Sequence, residues 1–328
     1  MAQEKTKKLV ELMNKTFYYN NLENVNSRIH LKRYLDISNR GYLIWFFTAF
    51  FGGQMYTLIE IFTQHSIPMP TWHPYNTEIS PNYQLTCVLQ LFSQAVMVLV
   101  MNGTDTFWSF MAFITSGQFK VLADNFENVF YKTLINMGWR LDDISKIKES
   151  LLNGNDVMKE SYYEMFESIR FNEELNKELV VLIKKKIELL KFCEEMENYW
   201  SFILLPMVLL TQSYLTFSGF IMLLNTNFIS TIRILQYIIP MLIEVGFMTY
   251  FGELLSNESE ALQMAIYKIP WYLCSKTTQI LIKMCHLRAR KPARISMAKF
   301  TNVNLKTFTY LMKSSISYLT VLNKIKAR

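Results

Sequence analysis

The side chains best placed for chemistry lie in the last thirty residues, where polar groups recur on one side of a predicted helix. Ammonium and hydroxyl groups follow one another at spacings of seven, four, three and four residues, which return to the same helix face. These positions are Lys306, Lys313, Ser317, Thr320 and Lys324. The second face is apolar and carries Leu305, Phe308, Leu311, Met312, Leu319 and Leu322. In a membrane protein a half-polar helix of this kind would border a water-filled path, so the rest of the chain decides its role.

The composition favours a helical membrane protein. Apolar residues make up 51% of the 328 positions and charged residues only 19%, below the usual quarter of a soluble domain. Only ten glycines and eight prolines are present, which favours helices over sheets. The first 40 residues are polar and carry eight Lys or Arg against four acids, so they do not form a signal peptide.

Other reactive side chains form no pattern that predicts catalysis or metal binding. No nucleophile–base pair or carboxylate pair recurs at one depth, which disfavours an enzyme. The cysteines and histidines have no ligand spacing, so no metal or other cofactor is expected. They are Cys87, Cys193, Cys274, Cys285, His30, His65, His73 and His286. Lys184 to Lys186 is expected to be a solvated face, and Glu244 is expected to pair with a basic residue of another helix.

Four apolar runs are long enough to cross a hydrocarbon core of roughly 30 Å. The second run continues through the polar sequence Asn102-Gly-Thr-Asp105, which predicts one helix that crosses the membrane and continues beyond it. The third and fourth contain Pro206 and Pro240, which membrane helices tolerate. The polar-striped helix adds a fifth span. The four apolar runs are 41–63, 85–114, 199–224 and 231–252.

The distribution of basic residues predicts the orientation of these spans. With five spans, the segments 1–40, 117–197 and 264–299 lie on one side and hold eight, twelve and eight Lys or Arg. The loops 64–82 and 225–230 lie on the other side and hold none. The positive-inside rule therefore places the N-terminus in the cytoplasm and, by odd parity, the C-terminus outside.

Together these features predict an all-α, polytopic membrane helix bundle with cytoplasmic helical regions. The predicted parts are a cytoplasmic N-terminal segment (1–40), two spans (41–116) with an extracellular loop (64–82), a cytoplasmic helical region (117–197), two spans (198–252), a basic cytoplasmic segment (253–299) and a half-polar last helix (300–323).

Several motifs resemble the insect odorant receptor family. The loop after the first span reads Pro68-Met-Pro-Thr-Trp-His-Pro74 and continues with Ser80-Pro-Asn-Tyr83. Later blocks read Tyr250-Phe-Gly-Glu-Leu-Leu255 and Ala265-Ile-Tyr-Lys-Ile-Pro-Trp-Tyr272, and the pair Lys291-Pro292 precedes the last helix. That helix matches the family pattern at Phe300, Leu305, Thr307, Phe308, Lys313, Ser315, Ser317 and Tyr318. The resemblance covers the chain from about residue 10 onward.

The resemblance implies an odorant-binding subunit of a heteromeric, odorant-gated, non-selective cation channel built with a shared co-receptor. It also implies that the cytoplasmic helices form an anchor domain that includes the basic segment 253–299, and that the last helix (300–323) lines the pore. It implies a heterotetramer in the plasma membrane of olfactory sensory neurons, in contact with membrane lipid and opened by a small, volatile, hydrophobic odorant. Members of the family have seven membrane helices, whereas this chain shows the last five. A truncated gene model, an isoform or a non-functional remnant is therefore also considered.

Two further classes of protein are considered as alternatives to an odorant receptor. A gustatory-type receptor of the same superfamily would carry Gln-Phe where Ile316-Ser317 stands. A secondary transporter would show inverted repeats, and none is found. The basic segment 264–299 could bind anionic lipid or nucleic acid, and nucleic acid is not expected beside four apolar spans. The apolar positions of the segment indicate helical packing within the anchor instead; they are Ile266, Trp271, Leu273, Ile280, Leu281 and Met284.

The resemblance and the spans together predict two groups of functional residues. Aromatic, small and weakly polar side chains in the outer half of the bundle suit an apolar ligand, with helix packing or lipid contact as the alternative. They are Gly53, Tyr56, Ile59, Val88, Gln90, Phe92, Ser213, Tyr214, Phe217, Gln236 and Tyr237. The predicted pore residues are Ser317, Thr320, Val321 and Lys324, with Val321 at the family's hydrophobic gate position.

Overall fold

Long α-helices dominate the computed structural model of the chain. It describes residues 2–16, 71–77, 79–153, 165–224 and 228–326, together with part of the positions from 29 to 67. The helices are α1 (Ala2–Thr16), α2 (Asn82–Asn136), α3 (Leu141–Asn153), α4 (Ile169–Leu224), α5 (Phe228–Tyr267), α6 (Lys276–Ala289) and α7 (Leu305–Lys326). A short 3-10 helix (Trp271–Leu273) precedes α6, and a two-stranded antiparallel hairpin, β1 (Ser296–Met297) and β2 (Thr301–Asn302), precedes α7. The predicted all-α class is confirmed.

Helices α2 and α4 extend well beyond the thickness of a bilayer. They contain 55 and 56 residues, which at 1.5 Å per residue corresponds to about 80 Å. The polar sequence 102–105 lies inside α2, as predicted for one helix that continues beyond the membrane. Thr104 donates a hydrogen bond to the carbonyl of Val100 at 3.0 Å, and Thr106 donates to the carbonyl of Asn102. These threonine hydroxyls are satisfied within the helix itself, so the polar sequence does not interrupt it.

Three helical segments of the described residues are long and apolar enough to cross a membrane. They are Asn82–Asn136, Ile169–Leu224 and Ile238–Leu273. Helix α7 is not among them because its lysines lower its mean hydropathy, although its 22 residues suffice for a crossing. About half of the predicted span 41–63 lies outside the described residues, and those of its positions that are described are helical.

The chain divides into two compact units. The first unit contains Met1–Tyr34, Phe113–Ser201 and Gly252–Asn302. The second contains Leu35–Ala112, Phe202–Phe251 and Val303–Arg328.

Aromatic packing forms the centre of the first unit. Phe130, Phe166 and Phe171 are all fully buried. Their ring centroids lie 5.1 to 5.7 Å apart, within the range of favourable aromatic pairs. This cluster joins α2 to the beginning of α4.

The side chain of Asn172 makes four hydrogen bonds, two of which link the beginning of α4 to the beginning of α6. Its amide nitrogen donates to the carbonyls of Phe166 at 2.7 Å and Ser168 at 2.9 Å. Its amide oxygen accepts from the backbone N–H of Ser275 at 2.9 Å and from the hydroxyl of Thr278 at 3.1 Å. Because Asn172 is only 5% exposed, these groups have little access to water.

The expectation that Lys184 to Lys186 forms a solvated face is wrong for Lys186. Lys184 and Lys185 are exposed, but Lys186 is 3% exposed because it shares the buried side of α4 with Leu182 and Leu189. Its ammonium group donates to the carbonyl of Cys285 at 2.9 Å, just before the last turn of α6. A cation at that end stabilises the helix dipole. Burial is the main cause that lowers the pKa of Lys186, and the neighbouring Cys285 opposes the shift.

The hairpin before α7 is fastened to α4. Its turn places Ala298 and Lys299 at φ values of 46° and 63°, in the left-handed region that costs non-glycine residues energy. The N–H of Ala298 donates to the carbonyl of Ser201 at 2.9 Å, and the Ser296 hydroxyl donates to the Glu197 carboxylate. These contacts hold the strained turn in place.

Asn304 then begins α7 by a side-chain cap. Its amide oxygen accepts a hydrogen bond from the backbone N–H of Thr307 at 2.9 Å. A cap of this type satisfies one of the N–H groups that a helix leaves unpaired at its start. The beginning of the polar-striped helix is therefore defined by the sequence immediately before it.

Candidate functional site

The four predicted pore residues share one exposed face of α7. Ser317, Thr320, Val321 and Lys324 are all exposed, Val321 to 55%. The same face continues toward the start of the helix through Lys306, Tyr310 and Lys313, which are also exposed. We call these seven residues the polar face of α7. Within this chain the polar face is left uncovered by the described residues.

Two hydroxyl groups of the polar face form hydrogen bonds within α7 itself. Ser317 donates to the carbonyl of Lys313 at 2.9 Å, and Thr320 donates to the carbonyl of Ile316 at 2.8 Å. Each hydroxyl oxygen keeps lone pairs that can accept a hydrogen bond from water. The face is therefore compatible with a hydrated path.

The opposite side of α7 packs inside the second unit. Thr307, Leu311 and Ser315 recur at four-residue spacing and are each 8% exposed. A side chain at Gly246 of α5 would meet the ring of Phe308 at 4.0 Å, an ordinary van der Waals distance. One side of the helix is thus fixed by packing while the other remains open.

Two contacts with α4 define the direction of α7. The amide nitrogen of Gln212 donates to the hydroxyl of Ser314 at 2.7 Å. A Cβ at Gly219 would lie 3.3 Å from a terminal methyl group of Leu319. From the first contact to the second, residue numbers rise along both helices, so α4 and α7 run parallel in the second unit. The predicted topology requires this for a third and a fifth span.

The predicted ligand residues of α2 lie on different sides of that helix. Gln90 is 8% exposed, whereas Val88 and Phe92 are 61% and 68% exposed. The reason is the helical period, because residues two positions apart point about 200° apart. Of these three, Gln90 alone faces the interior of the second unit.

The loop before α2 folds onto the buried side of Gln90. The amide nitrogen of Gln90 donates to the hydroxyl of Thr71 at 3.1 Å, and that hydroxyl lies 2.8 Å from Nε2 of His73. The hydroxyls of Tyr75 and Thr86 lie 3.1 Å apart. The described part of the predicted extracellular loop is therefore tied to the first turns of α2 by polar contacts.

Two buried polar residues near Gln90 were not singled out from the sequence. Gln94 lies one turn further along α2 and is 9% exposed, and its side-chain oxygen accepts a hydrogen bond from the fully buried hydroxyl of Thr57. In the sequence, the four-residue spacing of Gln90 and Gln94 within an apolar run indicates that both lie on one helix face. Glutamines that recur on one face of a membrane helix are costly in lipid and indicate an inward face.

The predicted ligand residues of α4 point away from α7. Ser213, Tyr214 and Phe217 are exposed, Phe217 to 63%. They lie on the side of α4 opposite to Gln212 and Gly219, as their spacing in the helix requires. Among the described residues these three side chains are thus exposed, whereas Gln90 is buried.

The structure describes no side chain at the remaining predicted ligand positions. Gly53, Tyr56 and Ile59 lie outside the described residues. Gln236 and Tyr237 belong to α5, and only their place in that helix is described. All of these positions stay predictions.

The expectation that Glu244 pairs with a basic residue is wrong. Its carboxyl group neighbours the carboxyl group of Asp105 instead, which brings α5 and α2 together in the second unit. Among the described residues, no group of three or more His, Cys, Asp or Glu side chains forms a metal site.

A cavity of about 200 Å³ lies elsewhere, in the first unit between α1 and α4. Its walls include the Lys8–Glu195 ion pair, with the two charged atoms 3.1 Å apart, and the ring of Tyr199. None of the predicted ligand residues lines it.

The long apolar helices, together with one half-polar helix, define a polytopic helical membrane protein. A family model described as 7tm Odorant receptor matches residues 1–316. The chain therefore belongs to the odorant receptor family, which confirms the resemblance and the prediction that the chain is not an enzyme. The match also decides against the transporter alternative.

Individual relatives have low sequence identity to this chain, but their alignments extend over most of it. Odorant receptor 83a of Drosophila melanogaster is 20% identical over 92% of this chain and 68% of its own length. Putative odorant receptor 85e of the same species is 21% identical over 80% of this chain and 59% of its own length. The chain thus spans roughly two thirds of these relatives.

Solved structures show the same fold. The insect olfactory receptor OR5 from Machilis hrabei superposes with a TM-score of 0.77 at 15% identity, covering 98% of this chain and 75% of the other. The same receptor in complex with eugenol superposes with a TM-score of 0.75 at 13% identity, with the same coverage.

Proposed function

We propose that the chain is the odorant-binding subunit of a heteromeric, odorant-gated, non-selective cation channel. The observation that carries the proposal is the polar face of α7. This face lies on a helix that is packed on its other side and left uncovered by the described residues. A polar helix face is costly against lipid, so it requires water or another chain to cover it.

The partner in this proposal is a shared co-receptor, with which the chain forms a heterotetramer in the plasma membrane of olfactory sensory neurons. The surface of α6 supports a protein partner, because Ile280, Met284 and Leu287 are 59%, 65% and 49% exposed. They recur at spacings of four and three residues, so they form one apolar stripe. Four α7 helices, one from each subunit, would then enclose a common water-filled path surrounded by membrane lipid.

The ligand in this proposal is a small, volatile, largely apolar odorant. Buried glutamines at positions 90 and 94 would supply the few polar contacts of an otherwise apolar site. The structural neighbour that was solved with eugenol supports this class, since eugenol is a small aromatic molecule with few polar atoms. The other predicted ligand residues belong to the same proposal.

Co-expression tests the proposal. The chain is expressed in a heterologous cell together with an insect co-receptor, and whole-cell current is recorded against a panel of volatile odorants. We expect cation currents that need both chains and at least one odorant. The control is the co-receptor alone at matched surface density, and absence of any additional odorant response despite surface labelling of both chains would refute the proposal.

A further inference from the structure

The contact between α4 and α7 combines a hydrogen bond with a close helix approach. Gln212 donates to Ser314 at 2.7 Å, and about two turns further along α4 the missing side chain of Gly219 makes room for Leu319. We call these two contacts the α4–α7 seam. Both lie inside the second unit.

The hydrogen bond of the seam has a defined direction. The hydroxyl of Ser314 donates its own proton to the carbonyl of Leu311 at 2.9 Å. Its oxygen is therefore left as an acceptor, and Gln212 must donate. A length of 2.7 Å is at the short end for an N–H···O bond, so the two side chains are well aligned.

The seam lies beside both predicted functional regions. On α4, Gln212 immediately precedes Ser213 and Tyr214, which are predicted to meet the odorant. On α7, Ser314 and Leu319 flank Ser317, which belongs to the polar face. Because a helix moves as a stiff element, a displacement of α4 at its ligand side also moves its seam side.

We propose that the α4–α7 seam passes an odorant-induced movement of α4 to the polar face of α7, with Gln212 and Ser314 as positioning residues. The inference rests on the proposed channel function. The contact of Gly246 with Phe308 is a weaker candidate for this role. It lies at an ordinary van der Waals distance and nine residues before Ser317.

The hydrogen bond is tested by single, double and exchange variants in the complex with the co-receptor. Gln212→Leu and Ser314→Ala are each expected to reduce the maximal odorant-evoked current per surface receptor about fivefold, the effect of roughly 1 kcal/mol on a gating equilibrium. The double variant is expected to be no worse than either single one, because both remove the same bond. The exchange Gln212→Ser with Ser314→Gln is expected to recover part of the current.

A matched control separates this effect from the general loss of a hydroxyl group. Thr309 is exposed on α7, and its hydroxyl donates within the helix to the carbonyl of Leu305 at 3.0 Å. Thr309→Val is therefore expected to leave the maximal current unchanged. Surface labelling normalises every variant.

The close approach is tested separately. Gly219→Val places bulk against Leu319 and is expected to reduce the maximal current, and adding Leu319→Ala is expected to restore it. Surface labelling shows whether Gly219→Val acts by disturbing folding, and a current that stays low in the double variant at wild-type surface density would count against the close approach.

The outcomes distinguish the inference from the function on which it rests. A wild-type complex without odorant-evoked current refutes the channel proposal itself. A conducting wild-type complex in which Gln212→Leu and Ser314→Ala behave like wild type, or reduce the current additively, overturns the role of the seam. If Gln212→Leu fails to reach the surface, the milder Ser314→Ala decides, with a wild-type response counting against the seam.

Discussion

Replacing Asn172 with alanine is expected to lower the free energy of unfolding by roughly 3–5 kcal/mol. The change removes four hydrogen bonds at once: those to Phe166 and Thr278 are buried, and those to Ser168 and Ser275 are part-buried. The Thr278 hydroxyl keeps the hydroxyl of Ser275 as a second partner at 3.1 Å. A buried group left unpaired costs about 1–3 kcal/mol. The Ser168 carbonyl is partly protected, because it also accepts the backbone N–H of residue 172. Thermal denaturation of the purified protein in detergent, together with surface labelling in cells, measures the loss.

Asn136 provides the matched control for this prediction. It is exposed and makes a single side-chain hydrogen bond, to Glu178 at 3.3 Å. Asn136→Ala is therefore expected to change stability by less than about 0.5 kcal/mol. Equal denaturation temperatures for the variants at positions 172 and 136 would contradict the structural role assigned to the buried amide.

Replacing Val321 with serine is expected to raise the current without odorant by about tenfold. In the proposed channel, apolar side chains at this position close the path because water and ions leave a narrow apolar constriction. Exchanging valine for a polar residue removes an apolar contribution of about 1.5 kcal/mol or more, and 1.4 kcal/mol changes an equilibrium tenfold. Basal current of the complex with the co-receptor, normalised to surface density, is the measurement.

Ile316 offers a control on the same helix. It is 63% exposed but lies on a different side of α7 from Val321, about 140° around the helix axis. Ile316→Ser is expected to leave the basal current unchanged. A similar rise for both variants would point to general loosening of α7 and against an apolar gate at position 321.

The features that depend on helical periodicity could be predicted from the sequence. The spacing of Lys313, Ser317, Thr320 and Lys324 predicted one face of one helix, and the structure places all four on the exposed side of α7. The continuity of α2 through the polar sequence 102–105 was also predictable, because threonine hydroxyls can bond within their own helix.

Side-chain contacts between segments that are distant in the chain could not be predicted from the sequence. Asn172 lies 103 residues before Ser275, and no local pattern indicates that its side chain joins two helix starts. Lys186 reads as part of a basic run, yet its relation to Leu182 and Leu189 places it inside. Gln90, Val88 and Phe92 were grouped by depth, although the helical period separates them onto opposite sides of α2.

The central claim is that the polar face of α7 borders an odorant-gated path, and cysteine accessibility tests it most directly. Single cysteines replace Ser317, Thr320, Val321 and Lys324 in the complex with the co-receptor, and a positively charged thiol reagent is applied outside with and without odorant. The four natural cysteines are buried, so the background reaction is expected to be slow.

Cysteines at Leu319 and Leu322, both on the apolar face, serve as the comparison. The account predicts that modification at the four polar-face positions changes the odorant-evoked current and is faster in odorant, while positions 319 and 322 react slowly or not at all. Equal reaction at all six positions, or no effect of modification on the current, would contradict a path along this face.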